Sequence, residues 1–285
     1  MKYLGYAAID GAFNGHPSEV AAWTNLYVAW ANFGYYKKAG ETIDDWLPRM
    51  VACVDRAYKL DMWIYVGLDM GRNEEMSRRS TVKRILRALL PYDDRIVVVD
   101  VADEPAIDAA TAKAWYAKAR SVMAEIGMAP HPLAITFTAK QSMHENVITV
   151  PRFKSDGTLK GPDIVTLELY SAPANQGEVA NLEYVRARID AAVARIDPKI
   201  GVWFWLQGFN RNGAFIGEAE LATLNKQSYK FAKKKHRSDG APLDPKGFLI
   251  FNWARKTGEG KVGTKWLPLV KAKHKWIAAD LGTVA

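Results

Sequence analysis

Two kinds of segment alternate along the chain. Short runs rich in β-branched and aromatic residues fall at 3–10, 26–32, 62–69, 95–103, 133–138, 164–171, 200–209 and 247–253. Several are apolar at almost every position, the pattern of strands covered on both faces. Between them, apolar residues recur every three or four positions, as on a helix with one buried face. In 42–60 the stripe is Trp46, Met50, Cys53, Val54 and Tyr58, and 74–90, 109–126, 182–196, 218–235 and 265–281 read the same way. The helical segments after the first and fifth strands are shorter, near 18–23 and 141–145, and 148–161 reads as a loop with a small hairpin.

Strands that alternate with helices run parallel and are joined by crossovers. A doubly wound open sheet is the competing arrangement. Its phosphate-binding turn is missing, because Ile9-Asp10-Gly11-Ala12-Phe13-Asn14-Gly15 does not fit GxGxxG. A count of eight strands selects an α/β closure, a single (β/α)8 TIM barrel. The 285 residues suit one such barrel, at about 250 residues, so 1–285 is expected to be one catalytic domain. With 49% hydrophobic and 25% charged residues, the chain can bury a large core.

In a barrel of this kind the chemistry sits at the carboxyl ends of the strands. Those ends hold Asp10, Asn32, Asp69, Asp103 with Glu104, Glu168 with Tyr170, Gln207, and Asn252 with Trp253. The strand starts carry mostly the Lys, Asp, Pro and Gly of ordinary turns. The fourth strand is the most informative. It runs Ile96-Val97-Val98-Val99-Asp100-Val101-Ala102-Asp103-Glu104-Pro105, apolar until it meets a carboxylate pair, with Pro105 ending the ladder. Strict alternation puts Asp100, Ala102 and Glu104 on one face and Asp103 on the other. If that face points inward, Glu104 stands at the mouth above Asp100, and the proximity of two acids together with partial burial raises a carboxyl pKa. A glutamic acid kept protonated near neutral pH is what a glycosidic leaving group needs. The alternative role for this pair is to cap the helix that follows, which suits Asp103 or Asp108 better than Glu104.

Asp103-Glu104-Pro105 resembles the Asn-Glu-Pro at the end of strand four in the clan of retaining (β/α)8-barrel glycoside hydrolases, where the Glu is the acid/base. It is also similar to the Asp-Glu pair of barrel β-N-acetylhexosaminidases, where the Asp orients an acetamido group and the Glu is the acid. The resemblance implies glycosidic bond cleavage with Glu104 as general acid/base. The chain departs from the retaining clan at strand seven, where Gln207 stands at the place of the nucleophilic Glu. Glutamine cannot attack an anomeric carbon. Two repairs are open. Glu168 can be the second carboxylate, with a separation from Glu104 of roughly 5 Å giving retention and roughly 6.5–9.5 Å giving inversion. Alternatively the acetamido group of an amino sugar attacks, Asp103 steadies it and Tyr170 hydrogen-bonds to it. That repair needs Asp103 to turn inward, which a strand-end bulge would allow.

The aromatic content fits a sugar site. Trp203, Trp205 and Gln207 share a face of strand seven, Trp253 ends strand eight, and Trp30, Tyr35 and Tyr36 cluster after strand two. Flat rings suit pyranose C–H faces, and amides and carboxylates take hydroxyls. Asp10, Asn32, Asp69, Tyr170, Trp205, Gln207, Asn252 and Trp253 are therefore the expected substrate-binding residues. Of the ten Trp, others such as Trp46 and Trp115 read as core or helix packing.

Other chemistries find less support. No His stands at a strand end and no HExxH occurs, so no zinc site and no cofactor are expected. Asp69, Asp103, Glu104 and Glu168 could hold a hard cation, which leaves a carboxylate-metal isomerase or lyase as one alternative. A carbohydrate-binding barrel that has lost catalysis is the other, motivated by Gln207. No GxSxG serine elbow and no lysine within a strand are present. Cys53 is the only cysteine, expected as a buried thiol.

The net charge of +8 gathers in Lys233-Lys234-Lys235-His236-Arg237 and Lys271-Ala272-Lys273-His274-Lys275, either solvated helix faces or an attraction for an anionic polysaccharide. No nucleic-acid motif accompanies the charge, and no apolar run reaches the roughly 18 residues needed to span a bilayer. The basic surface argues for a monomer. Without a signal-like start, the expected location is cytoplasmic, or outside after phage-type or lysis release in a wall- or capsule-degrading enzyme.

Overall fold

The computed structural model describes residues 1–7, 17–33, 37–71, 74–103, 107–138, 150–152, 155–170, 181–211, 216–237, 239–251 and 261–283. In chain order the elements are β1 (Tyr3–Ala7), α1 (Pro17–Val20), β2 (Leu26–Trp30), α2 (Ile43–Lys59), β3 (Trp63–Gly67), α3 (Glu74–Ser77), α4 (Arg79–Leu89), β4 (Ile96–Asp103), α5 (Ala109–Ile126) and β5 (Leu133–Phe137). They continue with β6 (Ile164–Leu169), α6 (Leu182–Val193), β7 (Gly201–Gln207), β8 (Phe209–Arg211), α7 (Glu218–Lys234), β9 (Gly247–Phe251), β10 (Lys261–Gly263) and α8 (Pro268–Leu281). β1 to β7 and β9 form a closed barrel in sequential order, every neighbour parallel.

Local signals set the helix ends. Thr42 and Asp45 exchange side-chain and backbone hydrogen bonds in a capping box before α2. Asp108 accepts the Thr111 N–H at 2.7 Å and caps α5, which Gly127 closes in a left-handed turn. The capping role weighed for Asp103 and Glu104 is thus filled by Asp108. The expected helix at 74–90 divides into α3 and α4 at Arg78, whose backbone is extended. The expected strand at 200–209 also divides. Gly208 donates its N–H to Phe251 at 2.5 Å and accepts the Thr264 hydroxyl at 2.7 Å, so the chain leaves the barrel there. Phe209 then opens a ribbon in which β8 pairs antiparallel with β10. The helix expected from 265 begins at Pro268, where a missing N–H costs nothing.

Two apolar layers follow from the alternation of side chains along the strands. Outward residues such as Leu4, Ile64, Val99, Val165 and Phe204 pack against the helices, including Trp46, Cys53 and Trp115. Inward residues fill the barrel itself, among them Val28, Trp30, Tyr65, Trp203, Trp205 and Leu249. Trp30 and Trp205 stack with centroids 5.9 Å apart and planes 13° from parallel. Indoles fit inside because two neighbouring positions lack a side chain. A Cβ on Gly67 would stand 2.5 Å from Trp30, and one on Gly247 2.0 Å from Trp203.

One residue of the second basic run departs from a solvated helix face. His274 is wholly buried, with its Nδ1 2.8 Å from the Tyr6 hydroxyl and its Nε2 3.5 Å from Asn225 Oδ1. Burial pushes its pKa down to about 3, so the ring is neutral, accepting from Tyr6 and donating to Asn225. Lys271 and Lys275, one helical turn from each other, lie on a different side of the helix and both reach the Trp23 ring, at 5.2 and 4.5 Å.

Candidate active site

β4 does not keep strict alternation to its end. Asp100 pairs with Ala134 and Asp103 with Thr136, so three steps on β4 match two on β5. Such a bulge rotates the end of the strand. Val101 and Ala102 both pack on the helix side, and Asp103 shares the face of Thr136, whose hydroxyl reaches into the barrel toward Asp100. The expected placement of Ala102 beside Asp100 and of Asp103 on the opposite face is therefore corrected. The extra residue shifts the phase, and Asp103 turns inward. Glu104 itself lies outside the described residues, as do Asp10, Asn252, Trp253, Tyr35 and Tyr36.

The bulge is held from the neighbouring strand. Asp69 follows β3 with φ +48°, a conformation Asp tolerates better than most residues. Its Oδ1 accepts the Asp103 N–H at 3.2 Å, and its Oδ2 accepts Asn32 Nδ2 at 2.8 Å. On either side of Asp69, Leu68 N–H binds the Asp100 carbonyl and Met70 N–H that of Val101, both at 2.8 Å. One buried carboxylate thus ties together the ends of β2, β3 and β4. Asn32 and Asp69 are both within the expected substrate-binding set and meet each other. Replacing Asp69 by Ala is expected to cost about 2–3 kcal/mol, from two hydrogen bonds and the left-handed backbone. Asp69→Asn, which keeps the conformation and one acceptor, is expected to retain most of that stability. Urea unfolding of the three proteins checks this, and an Ala variant as stable as the parent would remove the tie.

Beneath the rim runs a polar chain through the barrel interior. Asp100 Oδ2 accepts the Tyr65 hydroxyl at 2.5 Å and the Thr136 hydroxyl at 2.6 Å, and Oδ1 accepts the Ala102 N–H at 3.1 Å. The Thr136 and Thr166 hydroxyls bond each other, and Trp205 Nε1 donates to Thr166 at 3.3 Å. Burial pushes the Asp100 pKa up to about 7, against the lowering effect of its three donors, with Asp69 raising it further.

A carboxyl pKa raised on folding means that the unfolded chain releases its proton first. The stabilisation by Asp100 is complete below about pH 4 and is lost as the pH rises through about 7, by about 4 kcal/mol at most. His274 acts with the opposite sign, losing stability as the pH falls below its unfolded value of about 6.5. Asp100→Asn is therefore expected to gain stability relative to the parent steadily from pH 4 to pH 7.5. Paired urea titrations across that range read the difference, and a constant offset would rule out titration of Asp100.

On β6, Thr166, Glu168 and Tyr170 follow one another at every second position. Glu168 is only 6% exposed and is in register with Trp205 on β7. Tyr170 is half-buried, edge-on to Phe209 at 5.4 Å. Trp205 is 1% exposed, so its ring is taken up by Trp30 and the interior. Gln207 ends β7, buried, with Nε2 donating to the Phe209 carbonyl at 3.2 Å. No group of three or more His, Cys, Asp or Glu among the described residues gathers to hold a metal ion. No helix among them is long and apolar enough to cross a membrane.

Sequence reasoning raised a strand-end bulge only as the condition for one of the two repairs, and it missed the tie through Asp69 and the hydrogen-bonded chain of Tyr65, Thr136 and Thr166. Tyr65 and the two threonines sit at period-two positions in otherwise apolar strands, so a search for polar groups within strand interiors would have found the chain.

The fold is shared with barrel glycoside hydrolases. GH5_18 of Streptomyces cattleya, solved in complex with GlcNAc, superposes with a TM-score of 0.64 at 10% identity, covering 100% of this chain and 82% of that one. GH5_18 of Bifidobacterium longum subsp. longum, in complex with Manb1-4GlcNAc, gives 0.63 at 11% identity, over 98% and 78%. A GH5 family lichenase from Caldicellulosiruptor sp. F32 gives 0.59 at 14% identity, over 95% and 84%. No family model matches the chain, and no curated protein matches it. In fold the chain is a (β/α)8 barrel of the kind that these glycoside hydrolases carry.

Proposed function

We propose that the chain is a glycoside hydrolase in which Glu104 is the general acid/base and Glu168 the second carboxylate. The observation that carries this reading is Glu168, a buried carboxylate at the inward carboxyl end of β6, beside the strand that ends in Gln207. A barrel whose seventh strand offers an amide needs its second carboxylate from another strand, and β6 is next to it. The solved neighbours bound to GlcNAc and Manb1-4GlcNAc support a carbohydrate substrate. The reading treats the chain as one catalytic domain without a cofactor, with Asp10, Asn252 and Trp253 completing the substrate cleft.

The bulge favours a second version of the same chemistry. With Asp103 facing inward, an acetamido group of the substrate can be the nucleophile and Asp103 can orient it. Release of reducing ends from chitin oligomers, peptidoglycan, neutral glucans and acidic capsules tests both versions. If Glu168 is the second carboxylate, Glu168→Gln abolishes turnover, including on sugars without an acetamido group. If the acetamido group attacks, only amino-sugar substrates are cleaved, and Asp103→Asn loses more than Glu168→Gln. Saturable glycan binding without hydrolysis by the parent protein would replace both with a binding protein.

A further inference from the structure

A cavity of about 460 Å³ opens between α6 and α7, and none of the rim residues lines it. Its walls carry Arg186, Lys230, Lys234 and Lys235 against a single carboxylate, Asp190, and Phe231 forms part of the lining. Lys235 is held by Asp190 at 2.7 Å. Lys230 and Lys234 are exposed and have no ion-pair partner among the described residues, so their charge is uncompensated. The Arg186 guanidinium lies 5.5 Å from the Phe231 ring centre, and Nη1 holds Glu183 at 2.8 Å.

The Arg186 guanidinium is a planar cation held on an aromatic ring, and the flanking lysines project the same sign of charge into the groove. That combination suits a carboxylate, which the two exposed ammonium groups and the remaining guanidinium N–H groups can take together. We propose that this groove is a second carbohydrate-binding site, taking a segment of an acidic, carboxylate-bearing polysaccharide apart from the barrel mouth. The choice of a glycan rests on the carbohydrate reading of the barrel; the choice of an acidic one rests on the groove alone. Single-stranded nucleic acid fits less well, because it is gripped by a long basic track with several stacking rings. This is a short depression with one ring, and that ring is already covered by Arg186.

Titration calorimetry of the full chain tests the site with a short oligogalacturonate, a cello-oligosaccharide of the same length and a single-stranded oligothymidylate. The expected result is saturable, salt-sensitive binding of the oligogalacturonate, weakened at least about tenfold in Lys230→Ala/Lys234→Ala. Both side chains are exposed, so the double variant should unfold at the same urea concentration as the parent. Glu104→Gln should leave this affinity unchanged. Equal binding by parent and double variant would overturn the proposal, as would an oligothymidylate bound as tightly as the oligogalacturonate. A protein that binds through the groove yet cleaves no glycan would sink the hydrolase reading and leave the groove standing. One that cleaves glycans but binds nothing at the groove would do the reverse.

Discussion

Glu104→Gln is expected to lower glycan hydrolysis by at least about 100-fold while substrate affinity changes little. A positioned general acid contributes roughly 10²–10⁴ to such a reaction, and the amide keeps the size of the side chain but cannot donate a proton to the leaving oxygen. The loss should depend on the leaving group. A natural sugar alcohol leaves only when protonated, whereas a fluoride or a nitrophenolate leaves without help. Glycosyl fluorides should therefore be cleaved by Glu104→Gln far better than natural linkages. Reducing-end release and fluoride release, measured on the same preparations, read the two losses separately. An unchanged rate on natural substrates would acquit Glu104 and move the search for the acid to Glu168 and Asp69. An equal loss on both substrate types would mean that the residue binds or shapes the site and moves no proton.

The second large effect concerns the filling of the barrel. Gly247→Ala is expected to destabilise the protein by about 3 kcal/mol or more, or to prevent its accumulation in soluble form. Overpacking usually costs about 1–3 kcal/mol, because interiors as dense as organic crystals have little room to give. Here the added methyl would lie 2.0 Å from the Trp203 indole, a rigid ring only 4% exposed. Trp203 in turn leans on Tyr3 at 5.5 Å and on Tyr65 at 6.2 Å, so it has no open side to move toward. Tyr65 bonds Asp100, which links the strain to the polar chain below the rim. Pairing the change with Trp203→Phe should recover part of the loss, since the smaller ring vacates the volume the methyl needs. A coupling energy well above zero in that double-mutant cycle identifies the contact. A single variant with the parent's unfolding midpoint would mean that β9 can shift away from β7.

The rim was legible to different depths at different strands. On β2 and β3 the polar residues that follow an apolar run, Asn32 and Asp69, are visible as the points where the strand pattern stops. Their hydrogen bond to each other is not visible, because the two residues are 37 positions apart and meet only through the pairing of β2 with β3. On β6 the set Thr166, Glu168 and Tyr170 is readable, since every second residue is polar and the rest are apolar. On β7, Trp203, Trp205 and Gln207 were placed on one face correctly. That the face of Trp205 is closed off by Trp30, a residue of a strand not adjacent to β7, depends on the narrow interior of the barrel. β4 was the place where reading by period failed. Its residues are apolar toward the helices and toward the interior alike, so Val97 to Ala102 contain no marker of parity apart from Asp100. A one-residue bulge leaves no trace in such a run.

What the sequence determined by itself is the architecture and the rim. Eight apolar runs separated by amphipathic helices bury both faces of every strand, and closure of the sheet is the arrangement that meets that demand without an exposed edge. Acids and amides placed where those runs end then fall together at one side of the barrel. What only the tertiary structure decided is the direction in which the critical acids point and the company they keep. Asp103 faces inward because Asp69, 34 residues earlier, accepts its N–H across the β3–β4 boundary. Asp100 is held near neutrality because closure takes it out of water while supplying Tyr65 and Thr136 as donors. Both outcomes depend on contacts between strands and on the low dielectric inside the barrel, and neither quantity is a property of any local stretch of residues.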